Sequence, residues 1–200
     1  TPLGALDFYN THMIAPYMEI GSDVYYHHRV AQAYELAQWI NHQSEATPVI
    51  LTGDLNCTPV DLPYRTARTY AKLRDSYLEA HPDNPGYTVS TAIPYLLTHA
   101  PERIDYIMYR SSPGNSMQLR SAELAFNLLP QEYANQMLAY SDHYGVSASF
   151  DLVTTPETEP SSPISLTSND ELEQTFRQGL EKSNRAEQVS ALRAGGGVLI

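Results

Sequence analysis

The run Val49-Ile50-Leu51-Thr52, which follows Pro48, constrains the fold more than any other stretch because it is short, continuous, apolar and β-branched. Such a run reads as a strand buried on both faces, which demands a layer of structure on either side of its sheet. It passes directly into Gly53-Asp54-Leu55-Asn56, so polar side chains arise where the buried strand emerges. Asp54 and Asn56 are two residues apart and would leave an extended chain on the same side. One charged and one neutral polar group so placed suit a hard cation, a water molecule or a phosphate oxygen. A turn carrying Asp and Asn after a strand is also common without such a role.

The neighbouring segments supply the layers. Leu6 to His12 alternates apolar and polar residues and predicts a strand ending at Thr11-His12. His28 to His42 predicts a helix, with Val30, Ala33, Tyr34, Ala37 and Ile40 on one stripe widened by Leu36 and Trp39. Asp61 to Tyr70 opens another helix, and Leu73 to Ala80 reads as either a short strand or a helix. His81 to Pro101 is a long irregular stretch with five prolines and glycines, a loop length often put to use. Arg103 to Tyr109, Met117 to Phe126 and Val146 to Phe150 predict strands, with a loop over Asn127 to Ala139. Strand, helix, strand and further strands describe a layered α/β unit.

All 15 tyrosines precede residue 150, which proposes a boundary near Asp151. Residues 1–150 carry 8 basic and 15 acidic side chains, and residues 151–200 carry 4 and 8. Both parts are acidic, so long-range attraction to a nucleic-acid backbone is missing and nucleic acid is not the expected partner. Carboxylates gathered in one cleft could still hold a cation that meets a phosphate. The single Cys57 excludes an intrachain disulfide and a cysteine-rich zinc site. No run approaches the roughly 18 apolar residues needed to span a bilayer, and no secretory signal is evident. Thr154 to Ser168, rich in Thr, Ser, Pro and Glu, reads as a disordered linker. Ser168 and Glu171 have capping-box spacing ahead of a weak amphipathic helix marked by Leu172, Phe176 and Leu180, which should stop by Gly195. A solvated tail is the expected reading of 151–200, with a membrane-side or partner helix as the alternative.

Two further motifs carry chemistry. In Ser141-Asp142-His143 an acid and an imidazole open a strand after a long loop, and imidazole moves protons near neutral pH. A surface histidine beside an aspartate is the plain alternative. Asp105 lies in the apolar strand Arg103-Ile104-Asp105-Tyr106 and needs a partner. A histidine from a neighbouring strand would serve, and so would Arg103, which shares its strand parity.

Together His12, Asp54, Asn56, Asp105, Asp142 and His143 resemble, in order and in strand-end placement, the second-half motifs of the endonuclease/exonuclease/phosphatase superfamily. The resemblance rests on the strand ending in Thr-His, the Gly-Asp-Leu-Asn turn, Arg-Ile-Asp-Tyr and the closing Ser-Asp-His. Tyr26-His27-His28-Arg29-Val30-Ala31-Gln32-Ala33-Tyr34 further resembles the corresponding helix of neutral sphingomyelinases, and the similarity covers about residues 6–150. It implies an α/β fold, part of a two-layer, deoxyribonuclease I-like sandwich whose N-terminal half is missing. Residues 1–150 would then be the C-terminal half of a phosphodiesterase domain.

The resemblance also implies roles. His143 would be the general base and Asp105 its orienting carboxylate, with Asp54 orienting the nucleophile; a swap of Asp54 and His143 stays open. Asn56 would hold a phosphate oxygen, and His12 would hydrogen-bond the phosphate or assist the leaving oxygen. Mg²⁺ would be the cofactor, with Asp142 on the metal side. The family's principal metal-binding Glu and an accompanying Asn come from first-half strands that this chain lacks, so it is expected to be inactive alone and to expose an apolar sheet face. The implied reaction is hydrolysis of sphingomyelin or an inositol phosphosphingolipid to ceramide and a phosphorylated head group. The implied partners are a sphingolipid at a membrane surface and the missing half of the domain, in an intracellular, membrane-associated whole. Another phosphodiesterase acting on nucleic acid, or a non-catalytic fragment, are the rival readings.

Overall fold

The computed structural model of the chain describes residues 4–16, 25–93, 100–127, 131–133, 136–154 and 169–195. Strand β1 (Asp7–His12) leads through helix α1 (Tyr26–Gln43) to strand β2 (Val49–Asp54), and the two strands pair in parallel. A crossover helix is the usual way to join parallel neighbours. Helix α2 (Leu62–Tyr70), the two-residue strand β3 (Arg74–Asp75) and the short helix α3 (Ser76–Ala80) follow. Leu73 to Ala80 thus contains both a strand and a helix, because Asp75 accepts the backbone N–H groups of Tyr77 and Leu78 and caps α3. Strand β4 (Asp105–Arg110) runs antiparallel to both β2 and β3, giving the order β1-β2-β4-β3.

A second sheet pairs β5 (Asn115–Ala125) with β8 (Gly145–Thr154). Between them lies a hairpin, β6 (Gln131–Tyr133) and β7 (Gln136–Leu138), where sequence predicts only loop. No tight-turn signal such as Asn-Gly announces it. Two sheets with helices packed outside the larger one form the α/β sandwich that the motifs imply.

The core lies between the four-stranded sheet and helices α1 and α2. Ala33, Ala37 and Ile40 of α1 meet Val49 and Leu51 of β2, Tyr106 and Met108 of β4, and Tyr64 and Ala67 of α2. Cys57 is buried in the same cluster. Trp39 departs from the expected stripe and is 58% exposed. Ile50 and Thr52, on the other face of β2, are only half-buried, so this strand is not fully enclosed as its sequence suggests. The smaller sheet reaches the larger one at β4, where the rings of Tyr109 and Phe150 lie 4.8 Å apart.

Helix α4 (Asn169–Gly195) departs from a solvated tail. Leu172 is buried against Val30 and Leu62, Phe176 packs on Tyr34, and Glu171 accepts two hydrogen bonds from Arg65 at 2.7 and 3.0 Å. Leu180, the third member of its expected stripe, is 65% exposed. The expected linker lies outside the described residues beyond Thr154. Among the described residues no helix is long and apolar enough to cross a membrane.

Candidate active site

Sheet register assembles the site from distant parts of the chain. His12 closes β1, Asp54 closes β2 and Asp105 opens β4, and the pairings His12 with Asp54 and Asp54 with Asp105 place all three in one row. Gly53 permits this edge: its φ is +139°, and a Cβ there would stand 1.8 Å from the Thr11 carbonyl oxygen. Only glycine tolerates that approach.

His143 arrives from the other sheet, two residues ahead of β8. Its backbone N–H donates to Ser141 Oγ at 3.1 Å, and its Nδ1 lies 2.9 Å from Asp105 Oδ2. His12 Nε2 lies 3.4 Å from Asp54 Oδ2, with its side chain 73% exposed. One ligand atom from each of Asp54, Asp105 and His143 lies within 4.8 Å of the others, a group able to hold a metal ion.

The competing partner for Asp105 is excluded by a buried network. Arg103 donates to Asp75 at 2.7 Å and lies over the Tyr106 ring, while Tyr64 donates to the same Asp75 oxygen. Strand β4 begins only at Asp105, so the parity that would put Arg103 and Asp105 on one face does not reach Arg103. Asn56 also departs from the strand argument. The chain leaves β2 at Asp54, and Asn56 adopts a positive φ of 49°. Its backbone N–H donates to Asp54 Oδ1 at 2.7 Å and its side-chain amide to the Met13 carbonyl at 2.8 Å. Asn56 therefore braces Asp54 against the end of β1. Asp142 is exposed and stands outside the group of three, close enough for its charge to act on His143.

Charge and burial tune these groups in opposite ways. Burial raises the Asp54 carboxyl above its ordinary value, the Asn56 N–H opposes this, and the negative charge of Asp105 adds to it. The hydrogen bond that Nδ1 donates to Asp105 raises His143 above the usual imidazole value against the effect of burial, with the charges of Asp105, Asp54 and Asp142 reinforcing it. Two carboxylates facing each other across β2 and β4 form a site whose mutual repulsion a cation would relieve. Oxygen donors of this kind suit a hard divalent ion.

A cleft of about 470 Å³ opens beside Asp105 and His143, lined also by Phe126, Tyr140 and Tyr144. Sequence reasoning missed these aromatics. Their one signal is that Tyr140 and Tyr144 bracket Ser141-Asp142-His143.

Fold and site together define a layered α/β protein with paired carboxylates and imidazoles at one sheet edge. The chain belongs to the Endonuclease/Exonuclease/phosphatase family, whose profile matches residues 5–143. Sphingomyelin phosphodiesterase 2 of Homo sapiens is 34% identical over 168 residues, covering 78% of this chain and 38% of the human protein. The chain thus spans well under half the length of that relative. Inositol phosphosphingolipids phospholipase C of Saccharomyces cerevisiae is 37% identical over 73 residues, 36% of this chain and 15% of the yeast protein. The crystal structure of D. rerio TDP2 complexed with single strand DNA product shares the fold, with a TM-score of 0.54 at 20% identity over 72% of this chain and 55% of that one.

Proposed function

We propose that the full-length protein is a metal-dependent phosphodiesterase that hydrolyses a phosphosphingolipid, sphingomyelin or an inositol phosphosphingolipid, to ceramide and a phosphorylated head group. The observation that carries this is the Asp105–His143 pair at 2.9 Å, set beside a second half-buried carboxylate, Asp54. With Nδ1 committed to Asp105, His143 Nε2 is the ring atom that takes a proton from water. Asp105 holds that tautomer and stabilises the imidazolium that forms. Asp54, braced by Asn56, orients the attacking water, and His12 faces the phosphate or its leaving oxygen. The new bond joins the water oxygen to phosphorus, the phosphorus–oxygen bond to ceramide breaks, and the ceramide oxygen gains a proton.

Asp54 and Asp105 would hold the divalent ion, with Asp142 at its outer side; Mg²⁺ fits an all-oxygen set. When bound, it supplies electrostatic stabilisation of charge building on phosphate oxygens. The substrate class draws on the similarity to the human and yeast sphingolipid enzymes. The acidic balance of residues 1–150 argues against a nucleic-acid substrate, since a nuclease profits from a basic groove. The test compares release of phosphocholine from sphingomyelin, release of inositol phosphate from its phosphosphingolipid, and nicking of plasmid DNA by the full-length protein. Lipid turnover without nicking is expected, and nicking alone would overturn the reading.

A further inference from the structure

The Asp105 end of β4 has an unusual neighbour. Strand β3 pairs only with Met108 and Tyr109, so among the described residues the first residues of β4 have no strand partner on that side. The segment around Thr88 takes the place. The backbone N–H groups of Ile104 and Asp105 both donate to Thr88 Oγ1, at 3.2 and 3.3 Å. The Thr88 N–H donates to the Glu102 carbonyl at 2.9 Å, and Val89 and Glu102 form an antiparallel bridge.

The same residue also holds the histidine loop. The backbone N–H of Tyr144, next to His143, donates to the Thr88 carbonyl at 2.7 Å. Thr88 is completely buried, so water does not substitute for these contacts. Its hydroxyl oxygen thus grips the strand that carries Asp105, and its carbonyl grips the loop that carries His143.

We propose that Thr88 is a positioning residue that sets the separation of Asp105 and His143 by bonding the backbone of Asp105 and of Tyr144, the residue beside His143. The inference rests on the proposed hydrolysis only in taking those two residues as the working pair. A dyad assembled from two different sheets needs such a tie, because a misplacement of about 1 Å can cost on the order of 100-fold in rate. Valine at this position keeps the shape and removes the acceptor, whereas serine keeps the acceptor.

The experiment uses the full-length protein, labelled with ¹⁵N, with no substrate or metal added. It follows hydrogen exchange at the Ile104, Asp105 and Tyr144 amides and the Nδ1–H resonance of His143. Thr66→Val serves as the control, since Thr66 is equally buried and its Oγ1 makes no hydrogen bond among the described residues. Tyr144, whose acceptor is the Thr88 backbone carbonyl, is the internal reference, while Thr88→Val should lose about tenfold of the protection at the Ile104 and Asp105 amides, the scale of one hydrogen bond, together with the Nδ1–H resonance. Thr88→Ser and Thr66→Val should keep both. The proposal is overturned if Thr88→Val matches the parent or if Thr88→Ser behaves like Thr88→Val. Should Thr88→Val not fold, the parent decides: Asp105 and Tyr144 amides exchanging at a common, slowed rate support the tie, and a Tyr144 amide exchanging as in an open loop overturns it. Neither readout involves hydrolysis, so loss of the proposed activity leaves this test standing.

Discussion

At the residue scale, His143 is shaped by what touches each side of its ring. Asp105 pairs with Nδ1 and raises the imidazole above its ordinary value of 6.5, and in the proposed reaction Nε2 takes the proton. A base must be neutral to act, so the acidic limb of the rate profile should lie above the ordinary imidazole value. Asp105→Asn should move that limb towards lower pH and reduce turnover, and His143→Ala should reduce turnover by roughly 10²- to 10⁴-fold with lipid binding kept. A pH profile of kcat/KM for each variant of the full-length protein checks both, and an unmoved limb in Asp105→Asn would count against the pairing. The same shift has a stability consequence with a definite sign. A folded-state value above the unfolded one stabilises the protein fully below about pH 6.5, and the contribution fades as pH rises through the raised value. Denaturant midpoints of the parent and His143→Ala should therefore draw together as pH rises through that raised value.

At the element scale, the first two turns of α4 supply its buried apolar contacts. Leu172 fills a place between α1 and α2, Phe176 packs on Tyr34, and the Arg65–Glu171 pair sits at the edge where water screens it. Burial therefore outweighs charge in holding this helix. Leu172→Ala should cost about 2–4 kcal/mol of the docking contact and expose α4 to limited proteolysis, while Leu180→Ala should leave the cleavage pattern unchanged. Equal sensitivity of the two variants would show that the helix is not docked through this face. Leu172, Phe176 and Leu180 look equivalent in the sequence, since four-residue spacing marks a stripe and not its partner. Trp39 shows the same limit: periodicity put it near the apolar face of α1, and the fold leaves it in solvent.

At the scale of the whole molecule, the site exists only where two sheets meet. Asp54 and Asp105 are neighbours through the β2–β4 ladder, and His143 joins them from the smaller sheet. Two facing carboxylates are satisfied together by a cation, so chelation of the full-length protein by EDTA should abolish lipid hydrolysis and Mg²⁺ should restore it. Hydrolysis that persists in EDTA would sink the metal-dependent reading.

The motifs are legible in the residues alone: the Gly53-Asp54-Leu55-Asn56 turn, the Thr11-His12 strand end, Asp105 in its apolar strand and Ser141-Asp142-His143. Each is local, written in residue types whose backbone preferences and ionisable groups are legible without partners. Tertiary structure alone decided which groups pair. It gave Arg103 to Asp75 and Asp105 to His143, turned Asn56 from a strand position into a brace for Asp54, placed Thr88 between strand and loop, and docked α4. The reason is physical: hydrogen bonds and burial depend on distances across the sheets, and register sets those distances between residues that sequence spacing keeps far apart.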